Sequence, residues 1–111
     1  MTFKALGKIT AGQVTADKTI KCARIQFAVA PANTGKVYLG SSGLNKTTLA
    51  NVARVFLAPA TGPQDGMIVQ PINQGANVHA EPERINAHSL SDYWIDADNA
   101  GDGLFVCYWI A

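Results

Sequence analysis

The acids of the last third are the first place to look for chemistry. Asp96-Ala97-Asp98-Asn99-Ala100-Gly101-Asp102 begins like a calcium loop, with acids at its first and third positions and glycine at its sixth. The fifth position is Ala100, however, and the twelfth is Cys107, where such a loop needs a bidentate glutamate. Asp92, Asp96, Asp98 and Asp102 therefore read as a solvated hairpin tip or, alternatively, as a weak cation site. His79-Ala80-Glu81 has the His-x-Glu spacing of zinc deaminases, but no Pro-Cys-x-x-Cys follows it. His79 and His88 have no third ligand in register. Asn33-Thr34-Gly35-Lys36 ends like a phosphate loop, yet Ala30 stands where the opening glycine belongs and Val37 replaces the hydroxyl that holds magnesium. Gly40-Ser41-Ser42-Gly43 fails as a nucleophile elbow because Leu44 takes the place of the last glycine. No catalytic residue, no metal ligand and no cofactor site emerges. The chain reads as a non-enzyme.

The elements around these residues are strands. Ile25, Phe27 and Val29 alternate with period two, while Ile20 and Cys22 sit in the opposite phase, so either a bulge near 22–24 or partial cover on both faces is expected. Pro31 ends that strand. Ala32-Asn33-Thr34-Gly35 reads as a turn, with Asn and Gly in left-handed positions, and Lys36 to Gly40 as the return strand of a hairpin. Residues 47–55 carry a weak helical spacing, but the alternation of Val52, Arg54 and Phe56 favours a strand over 52–58. Turn chemistry fills 58–66, a strand follows from Met67 to Pro71, and Pro71 and Pro82 bound irregular chain. Leu90 to Ala97 reads as a turn and then a strand, with 98–103 as a hairpin loop. The final strand, 104–110, is apolar at every position, so both its faces should be covered, by core on one side and by a loop, a neighbouring subunit or a partner on the other. With an early strand near 3–10, the expectation is a single all-β domain over 1–111. It is a compact β-sandwich, jelly-roll-like, of about seven to eight short antiparallel strands with little or no helix.

Composition narrows the class. The 111 residues suit one domain, and only 15% are charged against ~25% in an average soluble domain, which argues against disorder and for surface covered by something else. Residues 1–55 hold eight bases against Asp17, and residues 56–111 hold seven acids against Arg84, so halves of +7 and −6 lie behind the net +1. Either the halves interleave and pair their charges, or a basic face meets an acidic face on a neighbour. Cys22 and Cys107 read as two buried small hydrophobes, with a disulfide or a reactive thiol as the other readings. Tyr93, Trp94, Tyr108 and Trp109 are candidate core or subunit-interface aromatics. They lie in the acidic half, which disfavours direct nucleic-acid binding. No apolar run has the length of a membrane span or a signal peptide, so a cytosolically made, unexported chain with no membrane partner is expected.

Two stretches carry a resemblance. Asn33-Thr34-Gly35-Lys36-Val37-Tyr38-Leu39-Gly40 and Leu90-Ser91-Asp92-Tyr93-Trp94-Ile95-Asp96-Ala97 resemble the turn-and-strand elements of small tailed-bacteriophage virion proteins of the capsid decoration, or cement, type. The resemblance covers roughly residues 19–110. The family's middle turn is replaced by Leu57-Ala58-Pro59-Ala60-Thr61-Gly62-Pro63, and 73–88 is long. The resemblance implies a homotrimeric structural protein on the outside of the phage head. It would bind the major capsid protein and stabilise contacts between its subunits. Residues 1–10 then become a candidate docking arm, with Phe3, Lys4, Lys8, Lys18 and Lys21 as candidate capsid-docking residues. The alternatives are a tail or fibre-base adaptor, and a small β-sandwich module that binds glycan or single-stranded nucleic acid.

Overall fold

Ile25, Phe27 and Val29 are buried in the computed structural model, while the alternating Arg24, Gln26 and Ala28 are half-buried on the opposite side of the strand. The structure describes residues 2–59, 66–69 and 86–111. Its strands are β1 (Thr2–Ile9), β2 (Gly12–Gln13), β3 (Lys21–Cys22), β4 (Arg24–Val29), β5 (Val37–Gly40), β6 (Val52–Phe56), β7 (Gly66–Val69), β8 (His88–Ser89), β9 (Trp94–Ala97) and β10 (Leu104–Ile110). No α-helix occurs among the described residues; a 3-10 turn, Leu90–Asp92, leads into β9.

Two four-stranded sheets, ordered β1-β10-β4-β7 and β2-β9-β5-β6, are joined by the small pair β3-β8, and every pairing is antiparallel. Ile25, Phe27, Leu104 and Val106 of the first sheet meet Val37, Leu39, Phe56 and Ile95 of the second in one core. Each such side chain contributes about 1.5–3 kcal/mol by leaving water. Leu90 and Cys22, both fully buried, also belong to that core. The expected all-β sandwich is what forms.

Its connections differ from expectation. β4 and β5 do not make a hairpin, because β4 lies between β10 and β7 while β5 lies between β9 and β6. The segment 98–103 is likewise no hairpin loop, since β9 and β10 belong to different sheets. Both stretches cross from one sheet to the other. Turn composition marks where a chain reverses, and nothing in it selects the sheet that is re-entered. Nor do Asn33 and Gly35 take left-handed conformations; positive φ falls at Gly7, Gly12, Gly43, Gly101, Leu49 and Asn51. Gly35 is needed for space instead, as a Cβ there would lie 2.6 Å from the Asn99 amide nitrogen.

The bulge expected near 22–24 is instead a break between strands: the Ala23 N–H donates to the Trp109 carbonyl at 2.8 Å, and β3 and β4 belong to different sheets, in opposite phase. Residues 52–56 form a strand, not a helix. The turn chemistry of 60–65, the prolines 71 and 82, and His79 with Glu81 lie outside the described residues.

Candidate docking face

The register of the first sheet decides which side chains look outward. Directly paired residues share a face, and Trp109 sits between Phe3 and Arg24, Cys107 between Ala5 and Gln26, and Phe105 between Lys8 and Ala28. Ile68 continues that row beyond Gln26. The partners of the alternate phase, Tyr108 with Ile25 and Val106 with Phe27, point into the core. β10 therefore behaves as expected on one face only. Its other face is left partly open, with Phe105 44% exposed, Phe3 55% and Ile68 43%, all on the same side of one sheet.

Arg24 and Trp109 give this face its polarity. The Arg24 guanidinium carbon stands 4.7 Å from the centroid of the Trp109 ring, and the Phe3 ring packs 5.2 Å from that indole at a 55° tilt. Such stacking stabilises by about 0.5–2 kcal/mol. Arg24 Nε is buried with no hydrogen-bond partner, and no carboxylate among the described residues lies within ion-pair distance of the guanidinium. A buried donor left unpaired costs about 1–3 kcal/mol, more when it belongs to a charged group. With Lys8 also on this side, the face is apolar and basic, and carries no acid among its described residues.

The residues singled out from the sequence are dispersed. Residues 2–9 of the candidate docking arm are bonded along β10 as an edge strand. Phe3 and Lys8 look outward from the first sheet, whereas Lys4 pairs with Tyr108 in the opposite phase. Lys21 is exposed on β3, and Lys18 lies across the molecule beside Trp94 on the second sheet. Tyr108 is a core residue, and Tyr93 packs on Phe27 with ring centroids 5.4 Å apart. Cys107 is half-buried on the outward face rather than in the core, whereas Cys22 is fully buried and its Sγ–H points to the His88 carbonyl at 3.5 Å. Both thiols are free. Arg24, Phe105 and Ile68 were not singled out from the sequence. The uniformly apolar run 104–110 does not mark Phe105 as outward, and only pairing with β4 and β7 shows that the three share one surface.

Three of the four acids have structural partners. Asp102 is buried and accepts from the N–H groups of Thr34 and Gly35 at 3.0 and 2.8 Å, and Asp98 accepts from the Tyr38 hydroxyl at 3.0 Å. Asp96 faces Lys46 at 3.9 Å. No group of three potential metal ligands occurs among the described residues. Comparison with family models, with curated proteins and with solved structures finds no match to this chain. Its function is therefore argued from the face itself.

Proposed function

We propose that this chain is a non-enzymatic structural protein of a tailed-phage virion, a capsid decoration protein that binds the outside of the head and stabilises contacts between major capsid subunits. The observation that carries the reading is the outward side of the first sheet. Three exposed apolar side chains share one sheet face with a Trp109–Arg24 stack whose cation has no acid partner among the described residues. Tryptophan and arginine in a partly desolvated patch are the residue types that dominate binding energy at interfaces.

The same charges select the occupant. Two copies docked face to face would set Arg24 and Lys8 against their equivalents, which like-charge repulsion opposes. An acidic, apolar-flanked surface complements the patch, so the partner is a shell protein offering carboxylates. Bound at a boundary between shell subunits, the protein stabilises only the lattice state that it recognises, by mass action. The trimeric assembly implied by the sequence resemblance belongs to this proposal.

The test is sedimentation of the purified chain with empty phage heads across a salt series. Binding near one chain per capsid subunit, weakening as salt rises, supports the assignment. A few copies per particle point to an adaptor at the tail or a fibre base. No co-sedimentation at any salt concentration overturns the reading.

A further inference from the structure

Trp94 lies on the outward face of the second sheet, because its neighbour Ile95 is buried in the core and its register partners are Gln13 and Gly40. Gly40 has no side chain for a structural reason, since a Cβ there would lie 2.0 Å from the Asn51 carbonyl oxygen. Residues of the loop that follows β5 and of the segment around β2 line the depressions beside the indole. A depression of about 550 Å³ opens on one side of the ring, lined by Gln13, Lys18, Ser41, Ser42 and Asp92. Another of about 370 Å³ also borders Trp94 and is lined by Gly12, Gly43, Leu44 and Asp96. A third of about 390 Å³ continues from the first past Ser41 and Asp92. All three are open depressions of the surface, not enclosed cavities.

We propose that this groove binds a neutral, hydroxyl-rich ligand, a glycan, with Trp94 as its platform. The chemistry of the lining selects that class. Lys18 and Asp92 offset one another, so the first depression carries no net charge to attract a polyanion or a polycation. Its walls are hydroxyl, amide, carboxylate and ammonium groups, which suit a ligand that both donates and accepts along its length. Gln13 uses its Nε2 to bond the Ser91 carbonyl at 2.8 Å, which fixes the side chain and leaves Oε1 as an acceptor. The Ser41 and Ser42 hydroxyls, the Asp92 carboxylate and the Trp94 indole N–H have no hydrogen-bond partner among the described residues. The flat indole offers apolar area to the carbon-bound face of a sugar ring, and its N–H remains free for a hydroxyl.

The groove lies on the opposite side of the sandwich from the Trp109 face, so a chain docked through the first sheet still presents it to solvent. The inference does not rest on the docking assignment, and its test uses no capsid. In a Trp109→Phe background, Trp94 is the sole indole. Neutral oligosaccharides of glucose, galactose, mannose and N-acetylglucosamine are titrated to about 10 mM, followed by indole fluorescence and saturation-transfer NMR. Saturable binding of at least one neutral probe is expected, with a sulfated oligosaccharide binding no better. Trp94→Ala should abolish it, and Asp92→Ala, at an exposed position, should weaken it about tenfold with unchanged thermal unfolding. Absence of saturation transfer for every probe overturns the proposal, as does binding that survives both substitutions.

Discussion

Asn33 bonds the backbone of Gly103 in both directions: its Nδ2 donates to the Gly103 carbonyl at 2.8 Å and its Oδ1 accepts from the Gly103 N–H at 2.9 Å. One residue along on each side, Asp102 accepts from the N–H groups of Thr34 and Gly35, and Asn99 donates to the Thr34 hydroxyl at 2.9 Å. The two crossings between the sheets are thus one clasp, with Asn33 acting as a substitute strand neighbour for Gly103. A side chain at Gly103 has no room, because its Cβ would lie 2.2 Å from the Ile9 carbonyl oxygen.

Replacing Asn33 by Ala strands the Gly103 N–H in a buried site and weakens the satisfaction of its carbonyl, which still accepts from Ala30 N–H at 3.3 Å. The expected loss is about 2–3 kcal/mol. Urea unfolding should show a lower midpoint with an unchanged slope. A shift below ~0.5 kcal/mol would remove the clasp from the account of stability.

Asp102 makes the clasp sensitive to acid. Burial acts to raise its carboxyl pKa, but the N–H groups of Gly35 and Thr34, the Thr34 hydroxyl and the charge of Lys8 together hold it below the ordinary carboxylate value. The unfolded chain therefore binds this proton at a higher pH than the folded chain does. The contribution is full above the unfolded value of about 3.9 and is lost as pH falls through the folded value. Asp17, whose pKa is lowered by the hydroxyl and then the N–H of Thr19, acts in the same sense. Thermal unfolding between pH 6 and about 2.5 should fall less steeply in Asp102→Asn than in the parent chain, from a lower starting point. Parallel curves would assign the acid loss to other groups.

The clasp also shows what could be read from sequence and what could not. Asn33-Thr34-Gly35 and Asp98 to Gly103 are visible as turns, and the alternation of Ile25, Phe27 and Val29 names core residues correctly. That the two turns bind each other is invisible, because their partners are about 70 residues apart in the chain. Local pattern likewise placed Trp94 and Trp109 among candidate aromatics without separating them. Strand pairing puts them on opposite outer faces, and pairing is long-range information.

The two thiols should differ in reactivity. Burial pushes the Cys22 thiol up to about 11, and the side chain is inaccessible. Cys107 is also raised by burial, with the Arg24 charge opposing, but it is half-buried on an outer face. The thiolate is the reactive form, so native labelling with iodoacetamide at pH 8 should modify Cys107 slowly and leave Cys22 untouched until urea unfolds the chain. Peptide mass spectrometry reads the sites. Native labelling of Cys22 would mean that the β3–β8 end of the core opens. Protection of Cys107 in a head-bound sample would place the Trp109 face in the interface.

The docking face itself predicts a separation between stability and binding. Phe105→Ser alters a side chain that is 44% exposed, so its stability cost should stay within about 1 kcal/mol. Trp109→Ala removes a half-buried ring that also supports Arg24 and Phe3, and about 1–3 kcal/mol is expected, less than for a fully buried aromatic. Binding should respond in a different order. If Arg24 meets a carboxylate on the shell, Arg24→Met lowers head affinity by more than about 30-fold, the scale of an interface hot spot, and flattens the salt dependence. Phe105→Ser weakens head binding without changing the salt slope, because it removes apolar contact alone. Head binding that tolerates both Arg24→Met and Phe105→Ser, in chains whose unfolding curves remain cooperative, would move the interface away from the first sheet.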